Sequence, residues 1–206
     1  MGNNISAVLL AAGLSSRMGR PKLLLPWGGT TVLGQIVSIF AAAGIEDIVV
    51  VTGGAREQVE TLVAELAHNF PVRSVYNPDS ARGEMLSSIQ AGLAALGSQP
   101  CAALIGLGDQ PQAREETVRR ICAAFIQTGS PLVIPSFQNR RGHPWLASRP
   151  LWSKILTLPL ASTPRQFLNA YTGQVEYIAA DESILQDLDT PEDYARQHPY
   201  KVLRNN

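Results

Sequence analysis

The feature that most constrains the fold is an alternation of apolar, strand-length runs with longer segments of helical period. The predicted strands are ISAVLL, EDIVVVTGG, PVRSVYNP, CAALIGLGD and SPLVIPSF, which begin at residues 5, 46, 71, 101 and 130. Most of them are continuously apolar, and such strands lie in sheets that are buried on both faces. Helical segments between the strands supply that cover. The chain is therefore predicted to be an α/β protein built on a mostly parallel sheet.

Four segments between these strands have the period of amphipathic helices. They are TVLGQIVSIFAAAG, AREQVETLVAELAHNF, EMLSSIQAGLAALG and REETVRRICAAFIQTG, which begin at residues 31, 55, 84 and 114. The first keeps its apolar spacing up to Gly44, which is a typical C-terminal stop. The pattern continues to about residue 135, after which prolines separate shorter elements. We predict a single domain over residues 1–206, with a core at 1–135 and a substrate-shaping region at 136–206.

The composition excludes several classes of partner. The chain has 17 basic and 17 acidic residues, and this balance argues against a general nucleic-acid binder, whose affinity comes from neutralising phosphates. No apolar run reaches membrane-spanning length, and the N-terminus lacks the basic-then-apolar order of a signal peptide. We therefore expect a cytoplasmic protein with no membrane partner. Cys101 and Cys122 form neither a disulfide framework nor a zinc motif, and both are expected to be core thiols.

Ligands of parallel α/β sheets bind beyond the carboxyl ends of the strands. This rule selects five stretches for attention: residues 11–22, 52–54, 77–88, 108–111 and 187–191.

A loop with two cations follows the first predicted strand, in the segment LLAAGLSSRMGRPKLLLPW. Its glycines allow a ligand to approach the backbone, and Arg17 and Lys22 supply positive charge. It is not a P-loop, because Arg20 and Pro21 separate Gly19 from Lys22. Loop amides and two cations at a strand end favour a polyphosphate over the alternative, a mobile surface loop with solvated cations.

An acidic residue ends the fourth predicted strand, in LIGLGDQP. Asp109 is a natural magnesium ligand at that position beside a phosphate-binding loop. The alternative is a cap for the helix that begins near Arg114, but Asp109 lies too far upstream for that role.

The segment LQDLDTPEDY combines a helix start with two further carboxylates. Thr190 followed by Pro191 and acidic residues is a strong helix-start signal. If the preceding stretch is extended, Asp187 and Asp189 point to one face and Leu188 to the other. One of the two carboxylates would complete a magnesium site with Asp109. We favour Asp189, and Asp187 remains the alternative.

Two further segments are candidates for substrate contacts. In ARGEMLSSIQAGL, Ser87 and Ser88 lie in the first turn of a predicted helix and could meet a base or ribose, whereas Met85 belongs to the predicted buried stripe. In NRRGHPW, the stretch from Arg140 to His143 is either a solvated hairpin tip or a site for an anionic second substrate, and we favour the second. The sequence shows no acid–base partner for His143, so it is not assigned as a general base.

The motifs LAAGLSSRMGRPK, GDQP, RGHP and DLDTPEDY, in this order, resemble the nucleotidyltransferases of molybdenum-cofactor maturation. The resemblance covers nearly the whole chain. It implies a Rossmann-like single domain of the nucleotide-diphospho-sugar transferase type, with helices on both faces of the sheet. It also implies magnesium-dependent transfer of a nucleoside monophosphate from an NTP to a phosphate-bearing, molybdopterin-type acceptor, with release of pyrophosphate.

The resemblance also implies roles for individual residues. The catalytic residues would be Arg17, Lys22 and Asp109, and the metal ligands Asp109 and Asp189. The nucleotide-binding residues would be Leu10, Ala11, Ala12, Gly13, Ser15, Arg17, Lys22, Ser87, Ser88 and Gly108. The acceptor-binding residues would be Arg141, Gly142 and His143. Residues 1–135 would then bind the nucleotide, and 136–206 would bind the acceptor and complete the metal site.

Within that family the LAAG tetrapeptide resembles the cytidylyl branch, because the guanylyl branch tends to carry LAGG. The methyl group of Ala12 would narrow the space beside the base and suit a pyrimidine, which predicts CTP as the donor. Glu84 departs from the family pattern, which usually shows Gly-Met before the serine helix. The alternatives are a guanylyltransferase, a sugar- or polyol-phosphate nucleotidyltransferase, and a non-catalytic accessory protein that delivers cofactor to a molybdoenzyme client.

Overall fold

The computed structural model describes residues 4–82 and 84–199. Within them the strands are β1 (Ile5–Ala11), β2 (Pro26–Trp27), β3 (Thr30–Thr31), β4 (Ile48–Thr52), β5 (Val72–Tyr76), β6 (Ala102–Leu107), β7 (Leu132–Phe137), β8 (Arg140–Arg141), β9 (Trp145–Ser148) and β10 (Val175–Ala179). The helices are α1 (Val32–Ala42), α2 (Arg56–Leu66), α3 (Glu84–Ala95), α4 (Glu115–Thr128), α5 (Arg149–Leu156), α6 (Pro164–Ala170) and α7 (Pro191–Gln197). Gly83 and the side chain of Glu84 lie outside the described residues, so the expectation about Glu84 does too.

One mixed, mostly parallel sheet organises the molecule. Its order is β10-β7-β9-β6-β1-β4-β5, with β8 paired to β7, and β2 and β3 form a separate small hairpin. Strand β1 lies in the interior of the sheet, parallel to both β4 and β6. Leu10 pairs with Leu107, so the chain leaves β1 and β6 side by side at one edge of the sheet. This register brings the first loop and the segment around Asp109 together.

Apolar cores cover both faces of the sheet, as the continuously apolar strands predict. Ala7 and Leu9 of β1 pack into one core with α1, α2 and α4, while Val8 packs into the other with α3 and α5. All three side chains are fully buried. A strand with apolar residues on both faces is stable only when both faces are covered, and this accounts for the two helical layers.

The region beyond residue 135 adds a strand that the sequence pattern did not reveal. Strand β9 inserts between β6 and β7 and runs antiparallel to both. It is four residues long and begins at Trp145, directly after Pro144, so the proline-rich pattern concealed it. The predicted mostly parallel sheet is confirmed, with β8 and β9 as the antiparallel exceptions.

The structure describes the environment of the two cysteines and the lengths of the helices. Cys101 and Cys122 are free thiols that pack against the core, as predicted, although each is only half-buried. No helix in the described ranges is long and apolar enough to span a membrane.

Candidate active site

The first loop is held in place by close packing against the next strand end. The Gly54 N–H donates to the Ala12 carbonyl at 3.1 Å. A Cβ on Gly53 would lie 2.7 Å from both the Cβ and the carbonyl oxygen of Ala12, so only glycine fits there. Further along, the Lys22 N–H donates to Ser15 Oγ at 3.2 Å. These contacts return the chain to the sheet and bring Lys22 to the end of β6.

Four charged side chains from three separate parts of the chain meet beyond β1 and β6. Lys22 Nζ lies 2.5 Å from an Asp109 carboxylate oxygen and 3.1 Å from one of Asp189. Arg17 Nη2 lies 3.2 Å from the other Asp189 oxygen. The Lys22 side chain is 13% exposed and Asp109 19%, whereas Arg17 is 70% exposed. The junction therefore has a shielded lysine at its centre and an arginine that solvent reaches.

Backbone and amide contacts fix Asp189 next to Asp109. The Leu188 N–H donates to the Asp109 carbonyl at 3.2 Å, and Gln110 Nε2 donates to Asp187 Oδ1 at 2.7 Å. Leu188 is fully buried, while Asp187 and Asp189 both face a cavity. The sequence prediction that the two carboxylates share one face is therefore confirmed.

Helix α7 begins directly after Asp189 and anchors it from the other side. Thr190 accepts from the Asp193 N–H at 3.1 Å, and Asp193 accepts from the Thr190 N–H at 3.0 Å, which confirms the predicted helix start. The Tyr194 ring meets the buried Trp27 ring of the β2–β3 hairpin edge to face, with centroids 6.0 Å apart. The capping box and this aromatic contact together hold the segment that carries Asp189.

The surroundings shift the pKa values of two groups at the junction in informative directions. Burial lowers the pKa of Lys22, but its contacts with Asp109 and Asp189 outweigh burial and leave the pKa raised. Burial raises the pKa of Asp187, and the charges of Asp109 and Asp189 act in the same direction, while the hydrogen bond from Gln110 opposes them. Lys22 is therefore cationic at neutral pH, and the ionised form of Asp187 is disfavoured.

A cavity of about 370 Å³ opens at these strand ends, and we call it the strand-end cavity. Its walls come from the first loop, from α3 and from the carboxylates. These residues include Leu10, Ala12, Gly13, Met85, Ser88, Asp109, Asp187 and Asp189. Six of the predicted nucleotide or metal residues therefore line one space.

Other predicted nucleotide residues lie beside this cavity rather than in its wall. Ala11 is buried in β1, and the Gly108 N–H donates to the Leu10 carbonyl at 3.0 Å. Ser15 Oγ accepts a hydrogen bond from the Lys22 N–H. Ser87 lies in the first turn of α3 and is 4% exposed. These residues shape the backbone of the site.

A second cavity, of about 780 Å³, adjoins the first, and we call it the hairpin cavity. Arg141, Gly142 and His143, the predicted acceptor residues, line it together with Arg140, Trp145 and Arg165. Met85 lines both cavities and is 38% exposed, so its assignment to the buried stripe is wrong. Met85 is exposed because it lies at the edge that the two cavities share.

The predicted acceptor residues differ in their freedom to meet a ligand. Arg141 donates to Asn169 Oδ1 at 2.8 Å and to Thr172 Oγ1 at 3.3 Å. A Cβ on Gly142 would lie 2.4 Å from the Ile184 carbonyl oxygen, so glycine is required for that close packing. Burial lowers the pKa of His143 to about 4, which keeps its imidazole neutral at physiological pH.

Three side chains at the site were missed by sequence reasoning. Asn77 lies 2.9 Å from Ser87 Oγ and 3.0 Å from Ser88 Oγ, and Gln110 holds Asp187. Met85, the third, lines both cavities. Asn77 does fall in a stretch selected by the strand-end rule, and an amide after a strand was the available signal.

Most of the chain is similar to known proteins. Residues 7–175 match the MobA-like NTP transferase domain. The molybdenum cofactor cytidylyltransferase of Escherichia coli (strain K12) is 29% identical over 193 residues, which cover 92% of this chain and 93% of that protein. The nicotine blue oxidoreductase of Paenarthrobacter nicotinovorans is 33% identical over 205 residues, which cover 93% of this chain and 95% of that protein.

Solved structures show the same fold over nearly the full chain. A nucleotidyl transferase from Methanothermobacter superposes with a TM-score of 0.77 at 30% identity, covering 96% of this chain and 97% of that one. Rv0371c from Mycobacterium tuberculosis H37Rv, in complex with manganese, has a TM-score of 0.74 at 28% identity, covering 95% of this chain and 98% of that one. The chain therefore belongs to the MobA-like NTP transferase family and is a nucleotidyltransferase with the nucleotide-diphospho-sugar transferase fold.

Proposed function

We propose that this enzyme transfers CMP from CTP to the terminal phosphate of a molybdopterin-type acceptor, with magnesium as cofactor and pyrophosphate as second product. The observation that carries the proposal is the junction of Lys22 with Asp109 and Asp189 at the wall of the strand-end cavity. A triphosphate needs cations, and a divalent metal needs carboxylates. The junction supplies both in one place.

The residues present fit a magnesium ion. Oxygens of Asp109 and Asp189 converge on one positively charged atom, Lys22 Nζ, and this convergence supports a shared role in holding a cation. In the described part of the chain, no group of three or more His, Cys, Asp or Glu side chains is arranged around a metal site. Magnesium usually takes one or two protein carboxylates and completes its shell with water and substrate phosphates, so two carboxylates suffice. The manganese complex of Rv0371c supports a divalent metal in this family.

The chain's own residues account for most of the chemistry. An oxygen of the acceptor phosphate attacks the α-phosphorus of CTP, the bond from that phosphorus to the bridging oxygen breaks, and pyrophosphate leaves with the electron pair. Arg17 and Lys22 neutralise the triphosphate and the charge that builds on pyrophosphate. When bound by Asp109 and Asp189, magnesium would supply Lewis-acid polarisation of the phosphate. A phosphate monoester is already a nucleophile, so no general base is needed.

The hairpin cavity is the proposed acceptor site. It shares Met85 with the strand-end cavity, so an acceptor there would lie next to the nucleotide. Arg140 and Arg165 bring positive charge to it, and Trp145 and Leu168 bring apolar surface. Neutral His143 can donate or accept a hydrogen bond without adding charge.

The choice of CTP rests on Ala12 and on the similarity to the E. coli cytidylyltransferase. Ala12 lines the strand-end cavity, and in this proposal its methyl group would narrow the space beside the base. Replacement of Ala12 by glycine would widen the cavity toward a purine.

The test is pyrophosphate release with magnesium, molybdopterin acceptor and each of the four NTPs in turn. We expect release with CTP, and we expect Lys22→Met and Asp109→Asn to lose it by about 100-fold or more. Arg17→Ala should reduce pyrophosphate release by a smaller factor, because Arg17 is more exposed to solvent than Lys22. The matched control is Arg20→Ala, an exposed arginine in the same loop. Circular dichroism would verify folding of each variant.

Other outcomes would redirect the proposal. Release with GTP would indicate a guanylyltransferase, and release only with a sugar or polyol phosphate would indicate a different acceptor. If none of the four NTPs supports pyrophosphate release, the non-catalytic accessory protein becomes the favoured function. The similarity to nicotine blue oxidoreductase favours a second candidate, an oxidoreductase, for which the test is two-electron reduction of nicotine blue with a reduced nicotinamide nucleotide as the electron donor.

A further inference from the structure

Asn77 follows β5 directly and lies beneath the first turn of α3, where it is 2% exposed. Its side-chain oxygen accepts from the Asp79 N–H at 3.0 Å. Its side-chain nitrogen donates to Ser87 Oγ at 2.9 Å and to Ser88 Oγ at 3.0 Å. Each heavy polar atom of this buried amide therefore has a partner, as buried amides require.

The chemistry of the partners determines the orientation of the Asn77 amide. The Asp79 backbone nitrogen is a donor, so the atom that faces it must be the amide oxygen. The NH₂ group must then face the two serines, and each serine oxygen accepts a hydrogen bond. The proton of each serine hydroxyl has to point somewhere else.

The two hydroxyl protons have different destinations. Ser87 Oγ donates to the Asp79 carbonyl at 3.4 Å, so its proton is used within the protein. Ser88 lines the strand-end cavity beside Leu10 and Ala12. Among residues 4–82 and 84–199, no hydrogen bond has the Ser88 hydroxyl as donor.

We propose that Asn77 is a positioning residue that makes Ser88 a hydrogen-bond donor toward the bound nucleotide. The nucleotide then has to present an acceptor atom at that point, such as a base carbonyl, a ring nitrogen or a ribose oxygen. Ser87, its neighbour in the same turn, stabilises the turn and has no proton left for the ligand. The inference rests on the proposed function in that it takes the strand-end cavity as the NTP site.

The Asn77→Asp variant tests this role directly. A carboxylate has nearly the same shape and still accepts from Asp79, but it cannot donate to the serines. Both serine hydroxyls then donate to the new carboxylate oxygen, and Ser88 no longer directs its proton toward the ligand. We expect the Kd for CTP with magnesium, measured by titration calorimetry, to rise about 3- to 10-fold, the equivalent of one hydrogen bond. At saturating CTP, kcat should stay within about twofold of wild type, because the lost contact is a binding contact.

A double-mutant cycle separates this role from a simple effect of added charge. Ser88→Ala alone should raise the Kd by the same factor, and Asn77→Asp in the Ser88→Ala background should raise it no further. Asn69→Asp adds the same charge at an exposed residue after α2 and should leave the Kd unchanged. If Asn77→Asp fails to fold in thermal unfolding, Ser88→Ala still decides the matter, since unchanged affinity would overturn the donor role.

The two proposals fail in distinguishable ways. A wild-type chain that binds none of the four NTPs would overturn the proposed function. A wild-type chain that binds CTP, with Asn77→Asp at wild-type affinity or with additive effects of Asn77→Asp and Ser88→Ala, would overturn the role of Asn77 alone.

Discussion

Lys22 is the residue on which the charges of the active site converge. Two carboxylates from distant parts of the chain contact its ammonium group, and they raise its pKa despite the burial that opposes this. A lysine held in this way is charged throughout the physiological pH range, which is what the proposed contact with a triphosphate requires. Arg17 adds a second cation at the solvent edge of the same junction.

The neighbouring carboxylate Asp187 is expected to lower stability rather than support turnover. Its raised pKa means that the fold favours the protonated form, so its contribution to stability is present below the unfolded value of 3.8 and is lost as the pH rises through the folded pKa. Asp187→Asn keeps an oxygen that accepts from Gln110 and removes the charge. We expect a gain of about 0.5–1 kcal/mol in the free energy of unfolding at pH 7.

Urea unfolding at pH 7 and pH 4 would measure this gain, which should shrink at the lower pH. Asp189→Asn is the matched comparison, because it changes the carboxylate that contacts Lys22. We expect it to reduce pyrophosphate release about 100-fold. Equal activity losses in the two variants would contradict the assignment of Asp189, rather than Asp187, as the metal ligand.

At the scale of elements, α7 and the β2–β3 hairpin act as a clamp on Asp189. The capping box at Thr190 starts α7, and the Trp27–Tyr194 contact fixes the helix against the hairpin. The hairpin follows the loop that carries Lys22. Helix α7 and the β2–β3 hairpin therefore position both partners of the Lys22–Asp189 ion pair.

Loss of the α7 cap should affect catalysis as well as stability. Thr190→Ala removes the acceptor for the Asp193 N–H and should cost about 1 kcal/mol in the free energy of unfolding. Because Asp189 precedes the cap, we also expect the magnesium concentration for half-maximal pyrophosphate release to rise several-fold. Thr163→Ala, which removes the matching capping box of α6, is the control: at saturating acceptor it should cost similar stability and leave the magnesium dependence unchanged. The same change in both variants would argue against the clamp.

At the scale of the whole molecule, the sheet brings the site together. Parallel strands β1 and β6 end at one edge, and the segment at 186–189 returns from beyond β10 to contact residues 109–112. Pieces of the first, middle and last parts of the chain thus meet in the strand-end cavity. A ligand that contacts all of them should link the stability of the whole fold to its binding.

We therefore expect CTP with magnesium to raise the melting temperature. A ligand at 100 times its Kd adds about 2.7 kcal/mol, which corresponds to roughly 5–10 °C for a domain of this size. Differential scanning calorimetry with CTP alone, magnesium alone and both would measure the shift. Asp109→Asn should abolish the part of the shift that requires magnesium. A shift that is the same with and without magnesium would contradict a metal held by Asp109.

The sequence by itself determined the main strands and helices of the sheet and the start of α7. Continuously apolar strands, amphipathic helices and the Thr190 cap are local patterns, and local patterns follow from backbone geometry and burial. The candidate residues after the strands were identifiable for the same reason, because parallel strands end at one edge. Tertiary structure decided the rest: the antiparallel β9, the outward Met85, and the orientation of Asn77 beneath the serines. Only tertiary structure decided that Asp189, rather than Asp187, forms the ion pair with Lys22. A contact between residues far apart in the chain depends on packing, which no short segment of sequence contains.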